Sequence, residues 1–271
     1  MENNTDGAPH FDSRIATAVI SAYVVVTFIG WFGNVNVVIA TVYNRSLQQP
    51  CHILIAIQSF FEIFHQAAHP ITAYFIYTGN YFIAVRECLY LQFVSNISMQ
   101  LAAFLILSIG VDRIFCVCFS ICYNNMNKTH YIIAMMIPAA LYSIMQLVVA
   151  YISDQTDLEV VCTVAAIYTD DSQLVFAVGG CLLNMIVIVV YVLMWIIVRK
   201  KASASSAKKL IKTLIIIVTC VVFGYYATML VFLVIVVLDL DPVSSFYAIM
   251  GGGMFVNASV SCNFFVLYWL W

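Results

Sequence analysis

The chain has 271 residues, of which 64% are hydrophobic and only 9% are charged. Soluble globular domains carry charge on roughly a quarter of their residues, so this composition excludes a soluble domain and indicates an integral membrane protein. The formal net charge is only −2, and no basic segment suggests a nucleic-acid partner.

Seven apolar stretches follow one another along the chain, and each is long enough to cross a bilayer as a helix of about 20 residues. They run approximately over residues 15–43, 52–78, 87–119, 130–152, 173–198, 211–238 and 244–271. Because lipid offers the backbone no hydrogen-bond partners, these spans must be helices. We therefore predict an all-α membrane protein, with an extracellular segment at residues 1–14 and a seven-transmembrane helix bundle at residues 15–271.

The distribution of charge between the spans predicts the orientation of the chain. The odd-numbered loops and the residues beside them hold most of the basic side chains: Arg45, Lys128, Arg199, Lys200, Lys201, Lys208, Lys209 and Lys212. Acidic residues predominate in the even-numbered loops and at the amino terminus, where only Arg14 and Arg86 break the pattern. By the positive-inside rule the odd loops are cytoplasmic and the amino terminus is outside.

The amino-terminal segment is polar and acidic and lacks a basic n-region, so no cleaved signal peptide is expected. Asn3 begins an Asn-Asn-Thr sequon on this outer segment. A glycan on a surface segment is sterically possible there, and we predict Asn3 as a glycosylation site.

Cys88 and Cys162 are the two cysteines placed at the oxidising outer face, and we predict a disulfide between them. The alternative is two unpaired buried thiols. Cys88 and Arg113 lie 25 residues apart, which corresponds to roughly 37 Å of helix and exceeds the ~30 Å hydrocarbon core of a bilayer. The two residues therefore face opposite sides of the membrane.

Ionisable side chains inside the spans are few, and such residues are candidates for function because burying them in lipid is costly. They are Glu62, His65 and His69 in the second span and the adjacent pair Asp112 and Arg113 at the end of the third. Asp112 can neutralise part of the Arg113 charge until another partner competes. The alternative is an arginine that extends towards the lipid headgroups from a helix end.

Several of these positions together resemble the rhodopsin-like G-protein-coupled receptors. The residues that carry the resemblance are Gly33-Asn34, Glu62, Cys88, Asp112-Arg113, Tyr191 and Asn263. Within that superfamily, the stretch at residues 108–123, with residues 51–57 before Glu62, is similar to the nematode serpentine chemoreceptors of the srsx class.

The resemblance implies an activation switch made of Asp112, Arg113, Tyr191 and Asn263. Arg113 would move on activation to meet Tyr191 and open a cleft for a heterotrimeric G protein. The resemblance also implies a central polar network of Asn34, Glu62 and Asn263. Glu62 is a departure, since relatives usually have Asp at this position, and the longer side chain makes sodium binding there doubtful.

Other departures concern the helix kinks. The seventh span reads Asn263-Phe-Phe-Val-Leu-Tyr268, without the proline that usually follows the asparagine, and the sixth has Gly224-Tyr225-Tyr226 in place of Trp and a following Pro. The fifth span has Leu183 where a proline is usual. Prolines concentrate helix bending, so the mechanics of activation are expected to differ, with Gly224 as a source of local compliance.

Polar side chains in the outer half of the spans predict a ligand pocket. The candidates share the ability to hydrogen bond or to pack at comparable depth: His69, Ser95, Asn96, Met99, Gln100, Tyr225, Tyr226 and Asn257. They are uncharged apart from the titratable histidine, which favours a small neutral ligand. The alternative is that they form hydrogen bonds between helices. Amine binding is not expected, since Ser95 stands where similar amine receptors have Asp.

We predict a chemosensory receptor of the plasma membrane whose partners are a small-molecule ligand, a heterotrimeric G protein and the lipid bilayer. No catalytic residue, metal ion or cofactor is expected, because no suitable constellation lies at helical spacing. Two alternatives remain open: a receptor-like protein that does not signal, and a transporter. A transporter would need more intramembrane charges or repeated halves.

Overall fold

The computed structural model describes residues 11–153, 158–201 and 205–270; the side chains of residues 198, 201, 205–221 and 263–270 are outside this description. The helices of the bundle are α1 (Ser13–Tyr43), α2 (Pro50–Gln66), α3 (Ala68–Thr78), α4 (Val85–Cys118), α6 (Lys128–Ile152), α7 (Asp171–Lys201), α8 (Ser205–Leu238) and α9 (Pro242–Leu270). The connections contain a 3₁₀ turn (Arg45–Leu47), the short helix α5 (Ser120–Asn125) and the two-residue strands β1 (Ile83–Ala84) and β2 (Glu159–Val160).

The lengths and composition of the helices confirm the predicted all-α membrane architecture. Within the described residues, α1, α4, α6, α7 and α9 are individually long and apolar enough to cross a membrane, and α8 contributes the apolar segment Val222–Leu238. The pair α2 and α3 together forms the second span. Large apolar side chains such as Phe28, Phe32 and Leu141 are exposed on the outside of the bundle, where lipid would cover them.

The second span was expected to be one helix, but it is broken at Ala67, between α2 and α3. Pro70 explains the break, because a proline has no N–H to donate and its ring clashes with the carbonyl four residues earlier, here that of Gln66. The Ala67 N–H bonds instead to the carbonyls of Phe64 and His65. The break lets the two halves of this span present polar side chains to different neighbours.

Polar residues at the ends of the spans set where the helices begin. The Asp12 carboxylate caps α1 by accepting from the backbone N–H of Arg14 at 2.9 Å, and Asn127 caps α6 in the same manner. Asp241 accepts from the N–H groups of Val243 and Ser244 at the start of α9. Such caps satisfy N–H groups that a helix leaves without partners in its first turn.

The helices form a closed ring in which α1, α2, α4, α7, α8 and α9 each pack against the next, with α9 returning to α1; α6 packs outside against α4 and α7. Glycines allow the closest approaches. A Cβ at Gly224 of α8 would lie 2.9 Å from the Phe255 carbonyl oxygen of α9. Gly224 is therefore a site of close helix packing, as is common between spans, and its role as a flexible point stays a prediction.

The predicted disulfide is confirmed. Cys88, near the start of α4, is bonded to Cys162, with their Cα atoms 5.5 Å apart. Asp112 and Arg113 lie near the other end of the same helix, 24 and 25 residues after Cys88. We call the end of the bundle that holds Cys88 the disulfide end, and the end that holds Asp112 and Arg113 the arginine end.

Candidate functional site

The connection between α6 and α7 folds into the mouth of the bundle at the disulfide end. Its strand β2 pairs antiparallel with β1, Ile83 opposite Val160. The segment from Val160 to Thr169, which we call the plug, follows and is largely buried. Beyond the disulfide, the Thr72 hydroxyl of α3 donates to the Cys162 carbonyl at 2.7 Å. The plug is thus fixed to two helices and to a strand, and it closes the bundle from this side.

Tyr168 of the plug engages two of the residues that sequence reasoning assigned to a ligand pocket. Its hydroxyl donates to Asn96 Oδ1 and accepts from Gln100 Nε2, both at 3.0 Å. Asn96 Nδ2 also donates to the Val164 carbonyl at 3.2 Å. Asn96 and Gln100 are not among the lining residues of the cavity beneath the plug. Their observed contacts join α4 to the plug and are not hydrogen bonds between helices.

A cavity of about 50 Å³ lies beneath the plug, and we call it the inner cavity. At about 30 Å³ per molecule it has room for roughly one or two waters. Four of the predicted pocket residues line it: His69, Met99, Tyr225 and Asn257. The other two, Ser95 and Tyr226, are not among its lining residues; Ser95 is buried in the helix packing instead.

Further lining residues of the inner cavity were not predicted, and most of them are apolar or aromatic. They include Tyr23, His65, Thr163, Phe176, Met229, Phe232 and Met250. Nothing in the local sequence distinguishes these methionines and phenylalanines from those that face lipid. His65 carried a signal, because it is one of the few ionisable side chains within a span.

Glu62 lies at the inner side of this cavity and is fully buried. Its Oε1 accepts a hydrogen bond of 2.8 Å from the Tyr225 hydroxyl of α8. Its Oε2 lies 2.9 Å from Nδ1 of His65, one turn further along α2. A buried carboxylate needs such partners, because without them its desolvation is not compensated. The pair of contacts joins α2 to α8 across the bundle.

The central polar network that the resemblance implied, Asn34, Glu62 and Asn263, stays a prediction. Asn34 is buried, but its Nδ2 has no hydrogen-bond partner among the described residues. The Asn263 side chain lies outside the described residues. The longer side chain of Glu62, compared with the usual Asp, reaches Tyr225.

His69 forms a second polar bridge at the inner cavity. Its Nε2 lies 2.7 Å from Oδ1 of Asn257, which joins α3 to α9. The ring of Tyr23 from α1 packs against the His69 ring with centroids 4.7 Å apart. The break at Ala67 separates the elements that carry His65 and His69, and their rings remain 6.3 Å apart. The broken second span therefore supplies polar groups to both α8 and α9.

A larger cavity of about 410 Å³, the outer cavity, lies on the other side of the plug at the disulfide end. Thr163, Ala165, Phe232 and Ile249 line both cavities. Side chains from the plug, α8 and α9 therefore lie between the inner cavity and the outer cavity.

At the arginine end, Arg113 is held by its neighbour and by α5. The guanidinium donates twice to Asp112 Oδ2, from Nε at 2.8 Å and from Nη2. The Tyr123 hydroxyl of α5 donates to the other Asp112 oxygen at 3.0 Å and accepts from Arg113 at 3.2 Å. Burial and the nearby Asp112 charge raise the pKa of Tyr123, so its hydroxyl remains a donor. Tyr123 was not predicted as a site residue, although it ends the stretch that carries the srsx resemblance.

Tyr191 of α7, the predicted partner of Arg113, lies elsewhere in this conformation. Its hydroxyl donates to the Ile106 carbonyl of α4 at 3.1 Å, and its ring packs over Gly110, where an added Cβ would lie 2.8 Å from the ring. Tyr191 and Arg113 therefore have separate partners here, and Gly110 leaves the space that the Tyr191 ring occupies.

The sequence matches the family described as serpentine type 7TM GPCR chemoreceptor Srsx over residues 27–270. This match covers most of the chain, from the middle of α1 to the end of α9, so the protein belongs to a class of seven-transmembrane G-protein-coupled receptors. Within that class it is a member of the Srsx chemoreceptor family. Among individually curated proteins, none matches this sequence.

Proposed function

We propose that this chain is a chemosensory receptor of the plasma membrane, in which a small neutral molecule bound in the disulfide-end half of the bundle promotes activation of a heterotrimeric G protein at the arginine end. Membership of the Srsx family supports the receptor class. The ligand, the G protein and the switch residues are what we propose beyond the receptor class.

The distribution of charge supports an orientation with the disulfide end outside the cell. Lys128 reaches the Gln48 carbonyl between the starts of α2 and α6, on the arginine end. Arg199 and Lys200 end α7 on the same side. Acidic residues, including Asp12 and Asp241, lie at the other end. Basic residues are retained on the cytoplasmic side of membrane proteins, and an outer location also suits a disulfide.

The observation that carries the proposal is the buried Asp112–Arg113 pair closed by Tyr123. The Asp112 side chain is fully buried and that of Arg113 is 12% exposed. The contacts restrain the guanidinium in one position, from which it can be released towards Tyr191 when the helices rearrange. A ligand that binds one of these two arrangements more tightly shifts the receptor towards that arrangement.

We expect cells that express the receptor with a promiscuous Gα subunit to respond to members of a panel of small neutral volatile and water-soluble compounds. Arg113→Ala should abolish the second-messenger response while leaving the amount of receptor at the cell surface unchanged. Arg45→Ala is a matched control, because Arg45 is exposed and lies in the loop after α1.

A ligand-evoked response that persists unchanged in Arg113→Ala would contradict the proposed switch. A receptor that reaches the surface and binds compounds without any second-messenger response would favour the receptor-like protein that does not signal.

A further inference from the structure

The Tyr225 hydroxyl connects α8 to α2 at the wall of the inner cavity. It donates to Glu62 across 2.8 Å, and both side chains are buried. Tyr225 lines the cavity, whereas Glu62 is not part of the described lining. A molecule inside the cavity therefore meets the Tyr225 side chain first, and the carboxylate lies behind it.

The lining of the inner cavity favours a neutral occupant. Its described residues include no Asp, Glu, Lys or Arg, and its polar groups are hydroxyls, imidazoles and an amide. Burying an ion without a charged partner costs far more than burying a neutral polar group. Glu62 does not offset the cost of burying a cation, because its two oxygens already contact Tyr225 and His65.

Two hydroxyl groups can donate to an occupant of this cavity. Thr163 Oγ1 is buried and has no hydrogen-bond partner within the described part of the chain. Such an orphaned hydroxyl is costly unless water or a ligand satisfies it. Tyr225 is the second donor. Both would bond to an oxygen acceptor such as a carbonyl or hydroxyl group.

The space limits the size of the occupant. The cavity of about 50 Å³ is far below the several hundred Å³ of typical ligand pockets. Met229 lines one wall, and a methionine side chain can be displaced because it is unbranched and flexible. Gly180 lies behind Met229, and a Cβ there would meet its sulfur at 2.5 Å. Gly180 therefore leaves the room into which Met229 fits.

We infer that the inner cavity, given the receptor function proposed above, binds a small neutral molecule with a short apolar body and one oxygen acceptor, such as a short-chain ketone, ester or alcohol. The ligand oxygen accepts the hydrogen bond of Tyr225 in place of Glu62 Oε1, and Glu62 keeps the His65 ring as the partner of its other oxygen. This exchange releases α8 from α2, and the separation of these helices is the first step of activation.

Binding is tested with purified receptor in lipid nanodiscs, using the shortest straight-chain 2-ketones, beginning with acetone, as probes. Short ketones should raise the midpoint of thermal unfolding, whereas amines and carboxylates of equal length should not. Gly180→Ala pushes Met229 into the cavity and should abolish the shift. Gly251→Ala is the control, because a Cβ there meets no atom within 4 Å.

The binding site is overturned if the ketone shift is the same in Gly180→Ala and Gly251→Ala. The ligand class is overturned if no ketone stabilises the wild type, or if the amines or carboxylates stabilise it more. Neither result depends on a G protein, so both remain decisive if signalling fails.

Coupling is tested by ligand-independent nucleotide exchange on a purified G protein. Tyr225→Phe removes only the hydroxyl and should raise the basal rate roughly tenfold, since the buried hydrogen bond to Glu62 restrains the inactive arrangement. Tyr247→Phe is the control, because it loses a hydroxyl that bonds Asp12 at the disulfide end. Equal basal rates in the two variants overturn the coupling step. If the rate of nucleotide exchange is the same in the wild type and in every variant, including Arg113→Ala, the proposed function itself is overturned.

Discussion

The two ends of the bundle are held together in different ways. At the disulfide end, the plug is bonded covalently to α4 and by hydrogen bonds to α3 and α4, so its contacts cross between elements that are far apart in sequence. At the arginine end, the Asp112–Arg113–Tyr123 cluster involves residues within 11 positions of one another. The first arrangement resists motion of the spans, whereas the second can persist or break while the spans remain packed.

This difference indicates where a conformational change is least costly. Separating the helices at the disulfide end would break several contacts together, because the plug is shared by them. At the arginine end, a change in α5 alone would remove the Tyr123 contacts and leave Arg113 held by Asp112 only. The hydrogen bond that joins α8 to α2, from Tyr225 to Glu62, lies between the two ends. Predictions that remove one contact from each region test this comparison.

The largest effect is expected at the disulfide. Cys162→Ser should lower the free energy of unfolding by about 2–5 kcal/mol, the usual cost of losing a native disulfide, because the plug keeps only its noncovalent contacts. Thermal unfolding of the purified receptor and its amount at the cell surface measure the effect. Cys181→Ser is the control, since Cys181 is a free cysteine. An equal loss of stability in both variants would show that the plug does not depend on the disulfide to stay in place.

A smaller loss is expected where α8 and α9 approach closely. Gly224→Ala places a Cβ 2.9 Å from the Phe255 carbonyl and from the Val256 Cα, and the backbone must move apart. Overpacking of this kind costs about 1–3 kcal/mol. Thermal unfolding compares this variant with Gly251→Ala, where the space is open. An unchanged midpoint for Gly224→Ala would mean that the two helices separate freely.

At the arginine end, the expected effect is on activity more than on stability. Tyr123→Phe removes one of the two groups that hold Asp112 and Arg113, a loss of about 1 kcal/mol. The basal rate of nucleotide exchange should therefore rise roughly fivefold. Tyr43→Phe serves as a control, because Tyr43 is exposed at the end of α1. If Tyr123→Phe instead destabilises the whole bundle as strongly as Cys162→Ser, the contrast between the ends is wrong.

The smallest effect is expected at the cap of α9. Hydrogen bonds from the Ser244 side chain and the nearby backbone lower the pKa of Asp241 below its ordinary value of 3.8. The carboxylate therefore stabilises the folded state fully above pH 4, and this contribution is lost as the pH falls through the lowered pKa. Asp241→Ala should cost about 1 kcal/mol at neutral pH, whereas Asp241→Asn should cost less because Asn also caps helices. Thermal unfolding at pH 7 distinguishes the two variants, and equal losses would exclude a capping role.

The positions of the spans, the membrane class and the disulfide were determined by the sequence itself. Apolar stretches of about 20 residues have few alternatives to a spanning helix. The pairing of Cys88 with Cys162 followed from their placement on one side of the membrane. The residues that resemble the rhodopsin-like superfamily and the srsx class also led to the family that the match over residues 27–270 confirms.

Only the tertiary structure decided which side chains meet. A spanning helix is apolar on its lipid face and on its packed face, so the sequence pattern does not fix its rotation about its own axis. For this reason Glu62 could be recognised as important, but its partner Tyr225 could not be identified. Likewise, Asn96 and Gln100 were recognisable as buried polar groups, yet the plug residue Tyr168 that satisfies them lies 68 to 72 positions away in the chain. Contacts between distant elements depend on the fold as a whole, whereas local length and hydropathy do not.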